Sequence, residues 1–461
     1  MYLVLMLAGL ADAAEVQFEG FYRARARAFD SLSLVPPAQD ASQGASLFAQ
    51  HRLWLRPRFV LTDEVSLYTE FRGLDGVLWG GETAPEAVFA EDLAALDADG
   101  YEQVFELTHG RAALRDASRS PFSIWRAWGE VNTDIGRFTF GRVPLHWGMG
   151  IWLNDGLSTM PMFSDFGDTT DRLMWEQLFQ SVFVRFAVDV PLEGLLGESD
   201  DRYALTGAVA YRTEDIEAGL LVQYDRTEGV GQEGGDPFGL GIFTADGTVD
   251  ASLGPISAEA EAVVHIGQTP DTSIQQNEAN RSVFAVGAAA ELSLDADPFA
   301  LSLMGGFASG DQPGRDDTTR RFRGFAFDPD FSPGLFMFEQ PLPTVTLAPG
   351  AEDPRTPGQV ANAIFVSPKV SRRLVEGLTA EASWLFGTTA RRLDQAGERA
   401  TYGNEFQIGA HYDGIQHLRL DGRAAVFLPG SVYTTQALDD DGNVSFSRTS
   451  FGFQLGARID F

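Results

Sequence analysis

Apolar and polar residues alternate with a period of two along most of the chain, and this alternation restricts the fold more than any other feature. The last segment shows it most clearly. Phe451, Phe453, Leu455, Ala457, Ile459 and Phe461 fall on one face, and Arg448, Ser450, Gln454, Arg458 and Asp460 fall on the other. Successive side chains of a strand point to opposite faces, so the pattern predicts a strand with one apolar and one polar face.

Segments of about ten residues with this pattern are typical of membrane-spanning strands, and they recur between turn residues. They lie at 15–29, 47–61, 64–73, 121–133, 135–143, 171–179, 181–190, 202–212, 216–226, 245–253, 256–267, 281–294, 298–309, 359–371, 376–387, 402–412, 416–428 and 446–461. The set gives about 18 strands, an even number as single-chain bacterial barrels require. Sixteen is the alternative, because the pattern is weak at 171–179 and 245–253.

After the first residues there is no run of about 18 apolar residues that could form a membrane-spanning helix. A closed sheet is the other structure that pairs every backbone N–H and C=O within hydrocarbon. The sequence therefore predicts an all-β fold, a transmembrane antiparallel up-and-down β-barrel in the bacterial outer membrane.

Short and long connections alternate along the chain, which is typical of a barrel with one short-loop end and one long-loop end. Thr62-Asp63, Thr133-Asp134, Glu214-Asp215, Gly254-Pro255, Asp295-Ala296-Asp297 and Asp413-Gly414 are predicted tight turns. The long connections lie at 74–120, 144–170, 227–244, 310–358 and 429–445. Six phenylalanines in 310–358 indicate a packed loop, and we expect part of it to fold into the barrel.

The two ends of the chain carry export features. Met1 to Leu10 is apolar and is followed by Ala11-Asp12-Ala13-Ala14, which predicts a signal peptide at 1–14 and a barrel over 15–461. The n-region before Leu3 lacks Lys and Arg, and an ordinary buried N-terminal strand is the alternative. The terminal Phe461 resembles the signal by which the barrel-assembly machinery recognises its substrates.

Composition limits the functions that the chain can have. The chain has no cysteine, which excludes disulfides and thiolate metal sites. Its formal charge of −31 argues against nucleic-acid binding. The six histidines are scattered and match no catalytic motif, and the acidic runs at 311–317 and 439–443 lack EF-hand spacing. We therefore predict no catalytic residue, metal or cofactor, although a Ser-His pair on neighbouring strands stays an open alternative.

Arginines share the polar face of several predicted strands. On the first strand, Arg23, Arg25 and Arg27 alternate with alanines, and an Arg facing lipid at the bilayer midplane costs roughly 2–4 kcal/mol. These side chains are therefore expected in the lumen or the headgroup zone. The candidate solute-binding residues are Arg23, Arg25, Arg27, Arg52, Arg56, Arg58, Arg142, Arg185, Arg419 and Arg423.

These arginines have two interpretations. Guanidinium groups bind carboxylate and phosphate in a bidentate fork, so a ladder of them would relay an anionic solute. Glu64, Glu70, Asp189 and Asp421 lie on the same predicted faces, so cross-strand Arg–carboxylate pairs that only stiffen the wall are an equal alternative.

Two segments carry a family resemblance. Gly141-Arg142-Val143-Pro144-Leu145-His146-Trp147-Gly148-Met149-Gly150, followed by Asp168-Thr169-Thr170-Asp171-Arg172, resembles a segment of alginate-export-like porins and related deltaproteobacterial outer-membrane proteins. Ala308-Ser309-Gly310-Asp311, with Phe322 and Phe325, is similar to a late strand of that group. The resemblance implies a monomeric 18-stranded barrel with inward loops and a basic constriction for acidic polysaccharide. The carboxylates among the arginines depart from that pattern.

Together these features predict a porin-like channel for anionic small solutes or acidic oligosaccharides, without enzymatic activity. The expected partners are outer-membrane lipid and lipopolysaccharide, the barrel-assembly machinery and the anionic solute. The first alternative is a plugged barrel whose acidic loops bind surface partners. The second is a barrel hydrolase.

Overall fold

The computed structural model describes residues 15–30, 32, 34, 45–80, 122–157, 166–192, 202–227, 240–270, 280–310, 321–342, 356, 358–391, 400–433 and 449–461. They form a closed antiparallel barrel of 18 long strands, with one further two-residue strand. The strands are β1 (Glu15–Phe29), β2 (Ser46–Val60), β3 (Val65–Gly80), β4 (Phe122–Thr133), β5 (Gly136–Pro144), β6 (Thr169–Phe179), β7 (Val182–Leu192), β8 (Arg202–Arg212), β9 (Ile216–Thr227), β10 (Leu240–Leu253), β11 (Ile256–Pro270), β12 (Asn280–Ala296), β13 (Phe299–Ala308), β14 (Arg321–Phe322), β15 (Ala363–Val375), β16 (Leu378–Thr389), β17 (Thr401–Ile415), β18 (Leu418–Pro429) and β19 (Ser450–Asp460).

Each long strand pairs with the next one along the chain, and β1 also pairs with β19, which closes the ring. The short β14 lies outside this order and runs parallel to β12. The predicted fold class and the count of 18 are confirmed. The two weak segments are β6 and β10, and β10 begins at Leu240 because its first residues pair with the end of β9. Gly241 and Gly247 obscured the alternation in β10, since glycine has no side chain to mark a face.

The tight turns lie close to their predicted positions, with three differences. Thr133 belongs to β4 and pairs with Gly136, so that turn is Asp134–Ile135. Asp413 and Gly414 belong to β17, and the turn that follows is Gln416–His417, because the register shifts between Tyr412 and Ile415 at a bulge. Ala296 still pairs with Phe299, so that turn is Asp297–Pro298.

The outer face of the barrel carries at least one exposed large apolar side chain on each of the 18 long strands. In strand order they include Phe18, Leu47, Leu67, Ile124, Phe140, Leu173, Phe186, Leu205, Leu220, Phe243, Ile266, Phe284, Leu303, Val370, Trp384, Ile408, Leu420 and Leu455. An apolar belt this large would cause association in water, but it matches the hydrocarbon of a bilayer. Among the described residues, no helix has the length and apolar character needed to cross a membrane.

Two stretches outside the long strands fold into the barrel, and we name them the first inward segment (residues 145–157) and the second inward segment (residues 321–342). Trp152 of the first contacts the inward-facing His265 of β11, with ring centroids 5.6 Å apart. Phe336 of the second packs at 5.0 Å on Phe29 of β1 and stacks at 5.6 Å on Phe427 of β18. The prediction that part of 310–358 folds into the barrel is confirmed.

Several sequence features lie outside the described residues. They are the signal peptide at 1–14, the loop at 81–121 and the acidic runs at 311–317 and 439–443. The signal peptide therefore stays a prediction.

Ile408→Arg tests the lipid-facing surface. Ile408 is 67% exposed at the middle of β17, so an arginine there is expected to lower the free energy of unfolding by roughly 2–4 kcal/mol. Ile415→Arg is the matched control, because Ile415 is 52% exposed at the turn end of the same strand and should cost about 0–1 kcal/mol. Urea titrations of the barrel refolded in phospholipid vesicles would measure both. Equal costs would show that Ile408 does not face hydrocarbon.

Candidate lumen site

Eight arginines on the first four strands face the inside of the barrel, and we call them the basic sector. They are Arg23, Arg25 and Arg27 of β1, Arg52, Arg56 and Arg58 of β2, Arg72 of β3 and Arg126 of β4. On β1 and β2 they alternate with residues of the outer face, as period-two parity requires. Among the side chains that the structure describes on these strands, four glutamates also face inward, namely Glu15, Glu19, Glu70 and Glu130. Guanidinium groups thus outnumber carboxylates on this part of the wall.

The arginines of the basic sector differ in how buried they are at different heights along the barrel axis. Arg23, Arg25, Arg27 and Arg52 are buried, whereas the Arg56 side chain, nearer the short-turn end, is 22% exposed. Arg25 donates to Gln50 Oε1 at 2.7 Å, and Arg27 donates to Gln454 Oε1 at 2.7 Å and to Glu339 at 2.8 Å. Because Glu339 belongs to the second inward segment, the ladder on β1 also holds that segment against the wall.

Glu70 is the centre of a buried network on β2, β3 and β4. It accepts from Arg56 through one oxygen and from Arg126 at 2.9 Å through the other, and the side chains of Glu70 and Arg126 are fully buried. Arg56 also binds Glu19 at 2.9 Å and lies 4.7 Å from the centre of the Trp54 ring. Removing one member of a buried pair typically costs about 3–5 kcal/mol, so this network fixes the geometry of the wall.

Farther round the barrel, arginines are paired with carboxylates of neighbouring strands. Arg172 binds Asp189 at 2.5 and 2.8 Å, and Arg202 binds Asp225 at 2.6 Å. Arg185 and Arg137 share Glu176. These pairs match the alternative in which arginines stiffen the wall, so that alternative describes β5–β9 better than β1 and β2.

The remaining predicted site residues are separated from the basic sector. Arg185 faces inward on β7, and Arg423 faces inward on β18, 3.9 Å from both Glu381 and Asp421. Arg419 lies near the short-turn end, where 58% of its side chain is exposed. The structure does not bring all ten predicted arginines into one cluster.

Arg142 corrects the prediction that it belongs to the lumen. On β5 the inward residues are Thr139 and Val143, whereas Arg142 shares the outer face with the exposed Phe140. Its Nε and Nη2 donate, at 2.7 Å each, to the two carboxylate oxygens of Asp171, which is also on the outer face. Parity along β5 therefore excludes Arg142 from the lumen.

The sequence reasoning missed a row of carboxylates that we call the acidic row. Glu217 of β9 lies opposite Asp250 of β10, Asp250 opposite Glu259 of β11, and Glu259 opposite Glu291 of β12. All four lie on the inward face. Since β10 is nine strands from β1 in a ring of 18, this row faces the basic sector across the barrel. Strand parity combined with the two-residue turn Gly254-Pro255 could have predicted the pairing of Asp250 with Glu259.

Wall carboxylates hold the inward segments. Glu405 of β17 accepts backbone N–H groups of Leu335, Phe336 and Met337 at 2.6, 3.1 and 2.8 Å. Glu261 of β11 accepts the N–H of Ile151 at 3.3 Å. Irregular backbone leaves N–H groups that need partners, and these side chains supply them.

A hydroxyl–imidazole pair is also present on the wall. Thr244 Oγ1 lies 2.8 Å from His265 Nδ1, and both residues are buried. His265 is covered by Trp152 and stacks at 5.1 Å on Phe325. A solute in the lumen cannot reach this pair, so it offers no support for a barrel hydrolase.

The closed barrel and its apolar belt define the class of outer-membrane β-barrels. No family model and no curated protein matches the sequence, so the resemblance to alginate-export-like porins has no family match behind it. Solved structures of similar fold include a BenF-like porin from Pseudomonas fluorescens Pf-5 (TM-score 0.54, 8% identity, 97% of this chain and 98% of that chain). OpdQ of Pseudomonas aeruginosa (0.52, 9%, 97% and 97%) and OccK2 of the same species (0.51, 11%, 96% and 98%) are similar too. At these identities the likeness is one of fold.

Glu405→Ala tests the attachment of the second inward segment. Three backbone N–H groups would lose their acceptor, and hydrogen bonds to a charged group contribute about 1.5–3 kcal/mol each. We expect limited proteolysis of the folded barrel to cut residues 321–342 at least tenfold faster, a change equivalent to about 1.4 kcal/mol. Glu381→Ala, which removes an inward-facing carboxyl of the neighbouring β16 that lies 3.9 Å from Arg423, is the control and should leave the cleavage rate nearly unchanged. Equal rates for Glu405→Ala and wild type would contradict this role.

Proposed function

We propose that the chain is a porin-like channel of the outer membrane whose lumen passes small anionic solutes, including acidic oligosaccharides. The observation that supports it best is the concentration of guanidinium groups on the inner wall of β1–β4, where the described side chains include eight arginines and four glutamates. Burying cations on a barrel wall is costly, and their concentration on four neighbouring strands is explained if the lumen has to attract negative charge.

The acidic row on the opposite wall affects which side of the lumen an anionic solute would follow. A basic wall facing a row of carboxylates sets up a field across the lumen, and low-dielectric walls focus such a field. An anionic solute would therefore travel along β1–β4. Guanidinium groups suit carboxylates and phosphates, because two N–H donors fit two oxygens.

The inward segments narrow the lumen through which a solute would pass. They pack mainly on the wall from β7 to β18, where inward residues such as Ala208, Leu221, Ala289 and Phe427 are apolar. They meet the basic sector through polar contacts, including Arg126 to the carbonyl oxygen of Asp155 at 3.2 Å and Arg27 to Glu339 at 2.8 Å. This arrangement favours selection by charge over passage through a wide pore.

A second candidate function is a plugged barrel that binds surface partners. It is favoured by the extent of the apolar core inside the lumen, which joins both inward segments to the wall. Channel recordings distinguish the two candidates, because a plugged barrel gives no current although it is folded.

The remaining parts of the proposal concern assembly. We expect a monomer in contact with outer-membrane lipid and lipopolysaccharide, inserted by the barrel-assembly machinery through β19. The backbone of Phe461 pairs in both directions with Gly20, at 2.9 and 3.0 Å, so the last residue takes part in closing the barrel.

Arg56→Gln tests selectivity, and Arg142→Gln is its matched control. Both remove one guanidinium, but Arg56 faces the lumen and Arg142 faces outward. Wild type is expected to be anion-selective in a planar bilayer under a KCl gradient. Arg56→Gln should lower the chloride-to-potassium permeability ratio by about fivefold, corresponding to about 1 kcal/mol for a unit charge near 4 Å in water. The Arg142→Gln reversal potential should equal that of wild type.

Two results would contradict the proposal. Equal shifts for the two variants would mean that lumen arginines do not set selectivity. No current from a barrel that shows heat-modifiable migration on a gel would replace the channel with the plugged barrel.

A further inference from the structure

Two carboxyl groups are buried on the inner wall beneath the first inward segment. Asp246 of β10 and Glu261 of β11 face inward and are 0% and 2% exposed. Glu261 lies directly opposite Thr248, and Asp246 precedes Thr248 by two residues on the same face. The two carboxyls are therefore diagonal neighbours, within reach of each other. We call them the buried carboxyl pair.

The backbone of the first inward segment lies against this pair. Glu261 Oε2 accepts the N–H of Ile151 at 3.3 Å. A Cβ added at Gly148 would lie 2.8 Å from Glu261 Oε2 and 2.9 Å from Thr248 Oγ1, and the φ of Gly148 is +55°. Only a glycine lets the segment approach the wall this closely in that conformation.

Three oxygen atoms of the pair lack partners. In the part of the chain that the structure describes, neither Asp246 Oδ1, Asp246 Oδ2 nor Glu261 Oε1 has a hydrogen-bond partner. None of the described basic side chains forms a salt bridge with either residue. Burying an uncompensated carboxylate is costly, so the two groups have to be neutralised either by a cation or by a proton.

The surroundings favour a cation over a proton. The N–H of Ile151 donates to Glu261, and such a bond stabilises the ionised form of a carboxylate. The acidic row continues from the pair on the same inward faces, because Asp250 follows Asp246 by four residues and Glu259 precedes Glu261 by two. Asp250 is exposed and Glu259 is half-buried. Carboxylates in this position raise the local concentration of cations beside the pair.

The available ligand atoms are oxygens, which suit a hard cation. Asp246 offers two carboxylate oxygens, Glu261 offers Oε1, and Thr248 offers its hydroxyl. No three carboxylate, imidazole or thiolate side chains that could hold a metal ion come together among the described residues, so backbone or water oxygens would have to complete the shell. Ca²⁺ accepts about 6–8 oxygens in flexible geometry, whereas Mg²⁺ requires a near-ideal octahedron. This irregular set therefore fits Ca²⁺ better.

We propose that the buried carboxyl pair, together with Thr248, binds one Ca²⁺ ion beneath the first inward segment. The ion balances the two carboxylate charges. It also orients Glu261, whose other oxygen holds the segment through Ile151. The site lies on the wall opposite the basic sector, and its occupancy does not depend on the proposed channel function.

Equilibrium dialysis of the refolded full chain against radioactive calcium measures the binding. The barrel is held in phosphatidylcholine vesicles free of lipopolysaccharide, with about 0.2 M KCl to screen weak binding to exposed carboxylates. The titration runs from about 10 μM to about 10 mM, a range that includes the Kd of about 10⁻⁴–10⁻³ M typical of weak Ca²⁺ sites. We expect wild type to bind one ion per barrel.

Asp246→Asn and Glu261→Gln each remove one charged ligand and keep the size of the side chain. Each should raise the Kd for Ca²⁺ at least about tenfold, since even partners outside the ligand shell typically change metal affinity by about 10–100-fold. Asp250→Asn is the matched control, because it removes a carboxyl from the same face of β10 within the acidic row. Its Kd should stay within about threefold of wild type, because salt screens a charge that does not touch the ion.

The urea midpoint of unfolding gives an independent readout. A ligand that binds only the folded state stabilises it, so the wild-type midpoint should rise with Ca²⁺ and return when EGTA is added. The Asp246→Asn midpoint should not respond to Ca²⁺. In EGTA it should be at least as high as that of wild type, because the asparagine replaces an uncompensated buried charge. A carboxyl that only supports the wall would instead make Asp246→Asn less stable in EGTA.

Three results would overturn the proposal. A wild-type barrel that binds no Ca²⁺ up to about 10 mM, with the same urea midpoint in EGTA, would mean that a proton neutralises the pair. Equal losses of binding in Asp250→Asn and Asp246→Asn would place the ion in the acidic row. Binding that survives both Asp246→Asn and Glu261→Gln would place it elsewhere on the chain.

Discussion

The structure depends on the requirement that every backbone N–H and C=O inside hydrocarbon has a partner within the protein. A ring of 18 strands meets it because β1 pairs over nine residues with β19, from Phe21 opposite Asp460 to Phe29 opposite Gly452. Closure in turn fixes which face of each strand meets lipid. Arginines and carboxylates are therefore restricted to the lumen or the rims, since a charge on the lipid face costs several kcal/mol at mid-depth.

Charges that face the lumen need partners there, and the kind of partner differs from strand to strand. From β5 to β9, arginines bind carboxylates of neighbouring strands, as Arg172 binds Asp189, and Arg137 and Arg185 share Glu176. On β1, Arg25 and Arg27 also donate to the neutral Gln50 and Gln454, and Arg27 donates to Glu339 of the second inward segment. The eight arginines of the basic sector lie opposite Glu259 and its neighbours. This polarity distinguishes the wall from one built only for rigidity.

The two-residue period of the strands explains how much of the structure could be predicted from the sequence. Lipid imposes a period of two, so the strands, their count and the inward direction of Arg23, Arg25 and Arg27 could be predicted from alternation. Arg142 was assigned by motif instead of parity, and the prediction failed. The contact between the two inward segments could not be predicted, because Ile151 and Asp328, which are joined by a backbone hydrogen bond, are separated by 177 positions and meet only after two irregular segments fold inward. No periodicity governs such contacts.

The inward segments are held in two different ways. Glu405 accepts three N–H donors of the second inward segment, which is the arrangement expected of a permanent support. The two segments are joined to each other by single hydrogen bonds, such as the one from the N–H of Asp328 to the carbonyl oxygen of Ile151 at 2.9 Å. One wall carboxylate therefore supplies support that the contact between the segments spreads over several residues.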